Sequence, residues 1–389
     1  MNVSKTTRRE YVERIRGRYA RAGRRHKTRI LDEFCAVCGY ERKHAIKLLR
    51  GSRTGPRDRP GPGPMYGAAE RRVAERIWWA AQQPCSKRLK EMLPLWLPGY
   101  ERRHGPLKAK VREKVLGMSA STLDRLLAPC RAQAARRRRT GTRPGRLLRT
   151  HIPIRAGEWQ IDGPGYLEAD SVAHCGESMS GNFVWSVTFT DIHTGWTEVR
   201  AVWNRGFVGV LQQVREVEAS LPFVLRGFDC DNGSEFLNWH LIRYFQDRPE
   251  AIEFTRSRPY HKNDNAHVEQ KNWTHVRQWL GYDRFEDPRV VDRLNDLYRH
   301  EWSWWHNFFC ASTKLVAKTR VKSRIVKTHD RPRTPYQRLR DGPGLSAERR
   351  DELDRLFHRL DPFDLTEMIE RKLRAVFRLV HPSLHREVA

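Results

Sequence analysis

No run of about 18 apolar residues occurs in the sequence, so no segment is expected to cross a membrane as a helix. The N-terminus is basic and lacks an apolar core, so no secretory signal is expected there. Cysteine is sparse: Cys35, Cys38, Cys85, Cys130, Cys175, Cys230 and Cys310 are odd in number and irregular in spacing, which argues against a disulfide framework. No internal repeat is evident. These absences point to a protein of a reducing cytosol. Acidic residues are scarce at the front only. Residues 1–150 hold 39 Lys/Arg against 12 Asp/Glu, a net +27. Residues 151–290 hold 14 against 20, and 291–389 hold 21 against 14. A basic front, an acidic middle and a mildly basic tail suit DNA-gripping parts around a carboxylate-rich site.

The 389 residues suffice for two to four domains. Residues 1–50 read as helical, with Ile30, Leu31, Phe34, Ile46, Leu48 and Leu49 on apolar faces and Gly39 at the turn of a helix-turn-helix. Gly51–Pro64, rich in Gly, Pro and Arg, reads as a linker (51–65). A second helical block spans 66–130. Ser119 or Ser121 is placed to cap a helix carrying Thr122, Leu123, Arg125, Leu126 and Leu127, either a recognition helix or an ordinary amphipathic one. The Arg136–Arg139 run lies in a basic linker, 131–157.

From about 158 to 285 the pattern changes to a mixed α/β domain. Tyr166–Val172, Phe183–Thr190 and Trp196–Val202 read as an antiparallel meander, turned at Gly181-Asn182 and at His193-Thr194-Gly195. Phe207–Ala219 reads as a helix, Phe223–Phe228 as a strand, Leu237–Phe245 as a helix and Ile252–Thr255 as a strand. A last helix, capped by Asp264 or Asn265, runs to about Leu280. Behind it come a helix with Trp302, Trp304 and Trp305 and a small β-module around Lys314–Lys327 (286–340 together), then a helical tail, 341–389.

In the helix 265–280, Ala266, Glu269, Trp273, Val276 and Leu280 recur at spacings of three and four, a stripe expected to face inward. A carboxylate on a buried stripe needs a cation, a proton or an opening to solvent. Asp231 closes a strand ahead of Asn232-Gly233, either a site position at a strand's carboxyl end or plain turn chemistry. Asp170 sits within a strand, where Asp is disfavoured. Three such carboxylates suit hard divalent cations that promote phosphoryl transfer. Cys175 and Cys230 are too soft for that task. Cys35-Ala-Val-Cys38 looks like half a zinc site but lies in an expected helix with no His pair before it.

Four stretches carry a resemblance. They are Tyr166-Leu-Glu-Ala-Asp170-Ser-Val-Ala-His-Cys-Gly176, Thr190-Asp191-Ile-His-Thr-Gly195-Trp196-Thr-Glu, Arg226-Gly-Phe-Asp-Cys-Asp231-Asn-Gly-Ser-Glu-Phe236, and Arg256-Ser-Arg-Pro-Tyr-His-Lys-Asn-Asp-Asn-Ala-His-Val-Glu269-Gln-Lys-Asn272. Together they resemble the integrase-type transposases of bacterial insertion sequences, relatives of retroviral integrases, over about 20–340. The resemblance implies an RNase H-like catalytic domain: a mixed five-stranded sheet with helices, preceded by all-α helix-turn-helix domains. It also implies Mg²⁺ or Mn²⁺ held by a triad of Asp170, Asp231 and Glu269, the last two separated by 37 residues. Trp159-Gln-Ile-Asp162 also looks like a place for the first acid; Asp170 is preferred because Gly163-Pro164-Gly165 breaks any strand at Asp162. Asp229 precedes Asp231, but Asp231 matches the Asp-Asn-Gly motif, and Asp191 reads as structural. Arg256, Arg258, Lys262, Lys271 and Arg277 are candidate contacts to DNA phosphates, with a solvated face as the plain alternative for Lys271 and Arg277. The expected partners are double-stranded DNA, both element ends and target, and further copies of the chain. The expected setting is bacterial cytoplasm, at the nucleoid when DNA-bound. A non-catalytic DNA-binding regulator and a nuclease without strand transfer remain rival readings.

Overall fold

The computed structural model describes residues 5–51, 65–134, 161–230, 233, 235–236, 238–256, 271–321 and 324–381. The chain divides into two units, Met1–Met65 and Tyr66–Ala389.

In the first unit, Val12, Ile15 and Tyr19 put an apolar stripe on α1 (Lys5–Arg21). It packs with Ile30, Leu31, Phe34 and Cys38 of α2 (Arg24–Cys38) and with Ala45 and Leu49 of α3 (Arg42–Arg50). Gly39, at φ +66°, ends α2 by donating its N–H to the Cys35 carbonyl at 2.9 Å, and three residues later α3 begins. Cys35 and Cys38 both lie within α2, with Cys38 in the core.

The second unit is built on a sheet. Its strands are β1 (Tyr166–Ala173), β2 (Val184–Asp191), β3 (Thr197–Trp203), β4 (Gly227–Cys230) and β5 (Glu253–Arg256), in the order β3-β2-β1-β4-β5. The first three form the expected antiparallel meander; β4 and β5 run parallel to β1, reached through α8 (Phe207–Ser220) and α9 (Trp239–Gln246). This is a mixed five-stranded sheet, as expected. β4 starts later than Phe223 because the Arg226 and Gly227 N–H groups both bond the Gly165 carbonyl, which joins β1 and β4 at their entry. Gly165 itself, at φ +116°, has no room for a side chain: a Cβ would strike the Val224 carbonyl.

One sheet face is aromatic. Phe228 of β4 meets Phe189, Phe236, Phe245 and Phe254 with ring centroids 4.9–6.4 Å apart. The register gives the other face a polar set: Glu168, Asp170, Thr188, Thr190, Asp229 and Thr255. β3 is an edge strand, yet its outer backbone groups are paired. Asn307 accepts from the Thr197 N–H at 2.9 Å and donates to the Thr197 carbonyl at 3.0 Å. Asn295 does the same for Ala201, at 2.7 and 2.9 Å. Two buried amides thus stand in for a sixth strand.

Both asparagines come from the helix Arg289–Leu297 and its continuation, which runs in π form over Tyr298–Trp302 and again over Trp305–Phe309. The helical block α4 (Ala68–Ala80), α5 (Ser86–His104), α6 (Ala109–Leu116) and α7 (Ala120–Ala134) shares one hydrophobic core with the sheet. Of the two serines considered, Ser119 caps α7, its Oγ accepting from Thr122 N at 3.1 Å. The core also takes in the tail helices Ala347–Arg359 and Pro362–Val380. Trp96 of α5 packs on Phe363 (centroids 5.3 Å apart) and donates its indole N–H to the Phe309 carbonyl at 3.1 Å. Arg102 and Arg103 of α5 pair with Asp361, Asp364 and Glu367. The small β-module is the hairpin of β6 (Leu315–Val321) and β7 (Arg324–His329).

Candidate active site

Asp170 lies on β1, the central strand, opposite Thr188 of β2. Its Oδ1 accepts from the Ser171 N–H at 2.7 Å and its Oδ2 from Asn272 Nδ2 at 2.5 Å. Thr188 Oγ1 donates to Asn272 Oδ1 at 2.5 Å, which fixes the amide so that its NH₂ faces the carboxylate. Asn272 therefore ties its own segment to β1.

On the other side of β1, the parallel register sets Ala169 opposite Cys230, the residue directly before Asp231. Asp231 and Glu269 themselves lie outside the described residues, as do Arg258, Lys262, Asp264, Asn265 and Ala266. Cys230 shares a face with Ala169, opposite to that of Asp170. Glu235 is buried close by. Its Oε1 accepts from Ser171 Oγ at 2.6 Å, and Arg205 reaches the same carboxylate at 3.3 Å. A Cβ on Gly233 would meet the Glu235 carboxyl, which would have to shift.

Asp162 is unlike Asp170. It stands before β1 at 75% side-chain exposure, paired with Arg226 at 2.9 Å. The Arg226 hydrogen bond and charge hold its carboxyl below the usual range. Asp191 is fully buried and staples a turn: it accepts from the N–H groups of Gly165 (2.8 Å), Tyr166 (3.2 Å) and Thr194 (2.7 Å). Burial nonetheless pushes its carboxyl up.

The inward stripe needs one correction. Val276 and Leu280 are buried as expected, but Trp273 is 42% exposed. Asn272–Arg277 is π-helical, and the wider turn rotates Trp273 off the buried face and His275 onto it. The candidate phosphate contacts that are described sit within the fold. Arg256 ends β5 at 6% exposure. Lys271 Nζ donates to the Gly195 carbonyl at 3.1 Å. Arg277 donates to the Ala173 carbonyl at 2.7 Å and lies 4.7 Å over the Tyr282 ring, bracing the end of β1.

Sequence reading gave no role to Asn272, Thr188 or Glu235. Asn272 had a signal: it follows Glu269 by three residues, one helical turn. Among the described residues, no group of three or more His, Cys, Asp or Glu could hold a metal ion. Asp170 offers hard oxygen donors on a polar sheet face, chemistry that fits Mg²⁺ or Mn²⁺.

Fold and site thus define a mixed α/β unit with a hydrogen-bonded carboxylate on the central strand of a five-stranded sheet. No family model matches the chain. It is 42% identical over 344 residues to the uncharacterized protein y4rM of Sinorhizobium fredii (strain NBRC 101917 / NGR234), covering 86% of this chain and 96% of that protein, and it belongs to the same family. Among solved structures, the HTLV-2 integrase catalytic core domain in complex with magnesium (dimeric form) covers 39% of this chain and 91% of its own, at 14% identity and a TM-score of 0.28. The simian T-cell lymphotropic virus intasome in complex with PP2A regulatory subunit B56 gamma covers 64% and 78%, at 15% identity and a TM-score of 0.33. At these scores the likeness decides nothing about fold or chemistry.

Proposed function

We propose that the protein is a DNA transposase that cleaves phosphodiesters at the ends of its element and joins the 3′-hydroxyl to target DNA. The observation that carries this reading is the meeting on β1 of the segments next to the motif acids: Cys230, just before Asp231, pairs with Ala169, and Asn272, just after Glu269, bonds Asp170. In the sequence Asp231 directly follows Cys230, and Glu269 stands three residues before Asn272.

Asp170, Asp231 and Glu269 would hold Mg²⁺ or Mn²⁺, which when bound activates the attacking oxygen and stabilises the leaving one. Asn272 keeps the Asp170 carboxyl aimed. The helices of residues 1–50 and 66–134, in the stretch of highest positive charge, supply binding to element ends, and copies of the chain bring two ends together. A supercoiled plasmid carrying cognate ends tests this. Joined products support it; cuts alone indicate a nuclease, and neither indicates a DNA-binding regulator. Asp170→Asn, Asp231→Asn and Glu269→Gln should each lower cleavage and joining by about a thousandfold or more while end binding survives. Asp162→Asn should retain substantial activity, because Asp162 is an exposed partner of Arg226. An inactive Asp162→Asn beside an active Asp170→Asn would move the first acid.

A further inference from the structure

A cavity of about 100 Å³ lies where α5, the β2–β3 turn, the segment 271–279 and residues 310–314 come together. Arg88, Lys271 and Lys314 line it, and no Asp or Glu is among its described lining residues. Each cation spends one donor on a carbonyl: Arg88 on Ala311, Lys271 on Gly195, Lys314 on His193. An ammonium has three donors and a guanidinium five, so donors remain for a ligand. His275 and His306 stack in its wall with centroids 3.8 Å apart. His275 is engaged with Thr274 Oγ1 at 2.8 Å. His306 is only 5% exposed, and its Nε2 has no hydrogen-bond partner among the described residues.

We propose that this cavity binds one phosphate group. Three cations and a buried imidazole nitrogen without a partner among the described residues converge on a space whose described lining holds no carboxylate, a costly arrangement that a multiply charged oxyanion reverses. The size sets the class. Sites for drug-sized ligands hold roughly 300–1,000 Å³, so this one takes a single tetrahedral anion. It does not admit the sugars on both sides of an internal phosphodiester. A nucleic-acid source must therefore present a terminal phosphate, and the other source is free phosphate. The electrostatics agree: burial drives both imidazoles well below their usual range. A bound anion opposes both shifts. The pocket stands whether or not Asp170 is catalytic, since it shares no residue with the carboxylate network.

The test is a titration of the full chain, ¹⁵N-labelled at histidine, with inorganic phosphate at constant ionic strength in chloride. His275 and His306 resonances, assigned through His→Gln variants, should shift saturably. Arg88→Gln and Lys314→Gln should each weaken binding by about tenfold or more, the loss of one charge-assisted hydrogen bond. Arg248→Gln, whose guanidinium pairs with Glu218 away from the cavity, should not. A 5′-phosphorylated oligonucleotide that reproduces the shifts, where its 5′-hydroxyl counterpart does not, identifies a strand terminus as the source. Shifts from inorganic phosphate alone identify the free ion. Absence of saturable shifts in the wild-type chain, or equal affinity in the Arg88 and Lys314 variants, overturns the proposal.

Discussion

Replacing Asn307 with leucine, close in size but without polar atoms, asks how much the sheet depends on its amide-capped edge. Asn307 is fully buried and Thr197 is 1% exposed, so no water can replace the lost partners. The Thr197 N–H and carbonyl, now bonded at 2.9 and 3.0 Å, would both be orphaned. Each buried orphan costs about 1–3 kcal/mol, so the pair costs about 2–6 kcal/mol. That compares with a total stability of about 5–15 kcal/mol for a typical domain. At about 2 °C per kcal/mol for a large unit, thermal unfolding followed by circular dichroism should fall by about 4–12 °C. Asn307→Asp sharpens the test. A protonated aspartic acid can accept from Thr197 N–H and donate to its carbonyl; the carboxylate can only accept. Burial raises that acid's folded pKa above the unfolded value of about 3.9, so its contribution is present at low pH and lost as pH rises. The Asp variant should therefore approach wild type near pH 4 and fall away near pH 8, while the Leu variant shows no such trend relative to wild type. A Leu variant melting within about 1 °C of wild type, with β3 amides still protected from exchange, would refute the capping argument.

Further outcomes can be checked directly. Asn272→Leu should lower cleavage rate with end binding intact, and Asn272→Asp should be worse than Leu, because it sets a second carboxylate against Asp170; plasmid cleavage and gel shift read both. Lys271→Met should flatten part of the pH dependence of stability. The folded pKa of about 7 lies below the unfolded value, so the lysine's burial cost is full below pH 7 and relieved as pH rises toward about 10; melting temperatures of the two proteins should differ most near pH 6 and converge by pH 10. A fragment 1–150 should prefer cognate ends and lose affinity steeply with salt, as filter binding would show; equal binding to all DNA would count against it. Chelation should abolish activity while leaving the circular dichroism spectrum unchanged, because carboxylate sites release hard ions without unfolding.

The sheet was legible because its signals are local. Alternation across Tyr166–Val172 and the turns at Gly181-Asn182 and Gly195 set three strands to within a residue or two. Gly39 ends α2 where its conformational freedom allows. The environment of Asp170 was only half legible. Its strand placement was readable, but Asn272 and Glu235 reach it across separations of 102 and 64 residues (Glu235 by way of Ser171), which no local pattern encodes. Trp273 was misread because the stripe presumed 3.6 residues per turn, and a π segment breaks that period without any Pro or Gly to announce it. Lys271 and Arg256 read as surface cations because basic residues usually are; only tertiary packing turns them inward.

The grip of α5 on the final helix also sets a schedule. Arg102 waits for Asp361 across 259 residues, and Trp96 waits for Phe363 beside it. With translation at about 5–20 residues per second, roughly 13–50 s pass between the two halves of that contact leaving the synthetic machinery. Until then the Trp96 indole has Trp305 and Phe309 against it but lacks Phe363. The nascent chain must either keep the indole in temporary company or delay closing, so a ribosome stalled short of the last helix would hold a chain with a finished sheet and an open flank.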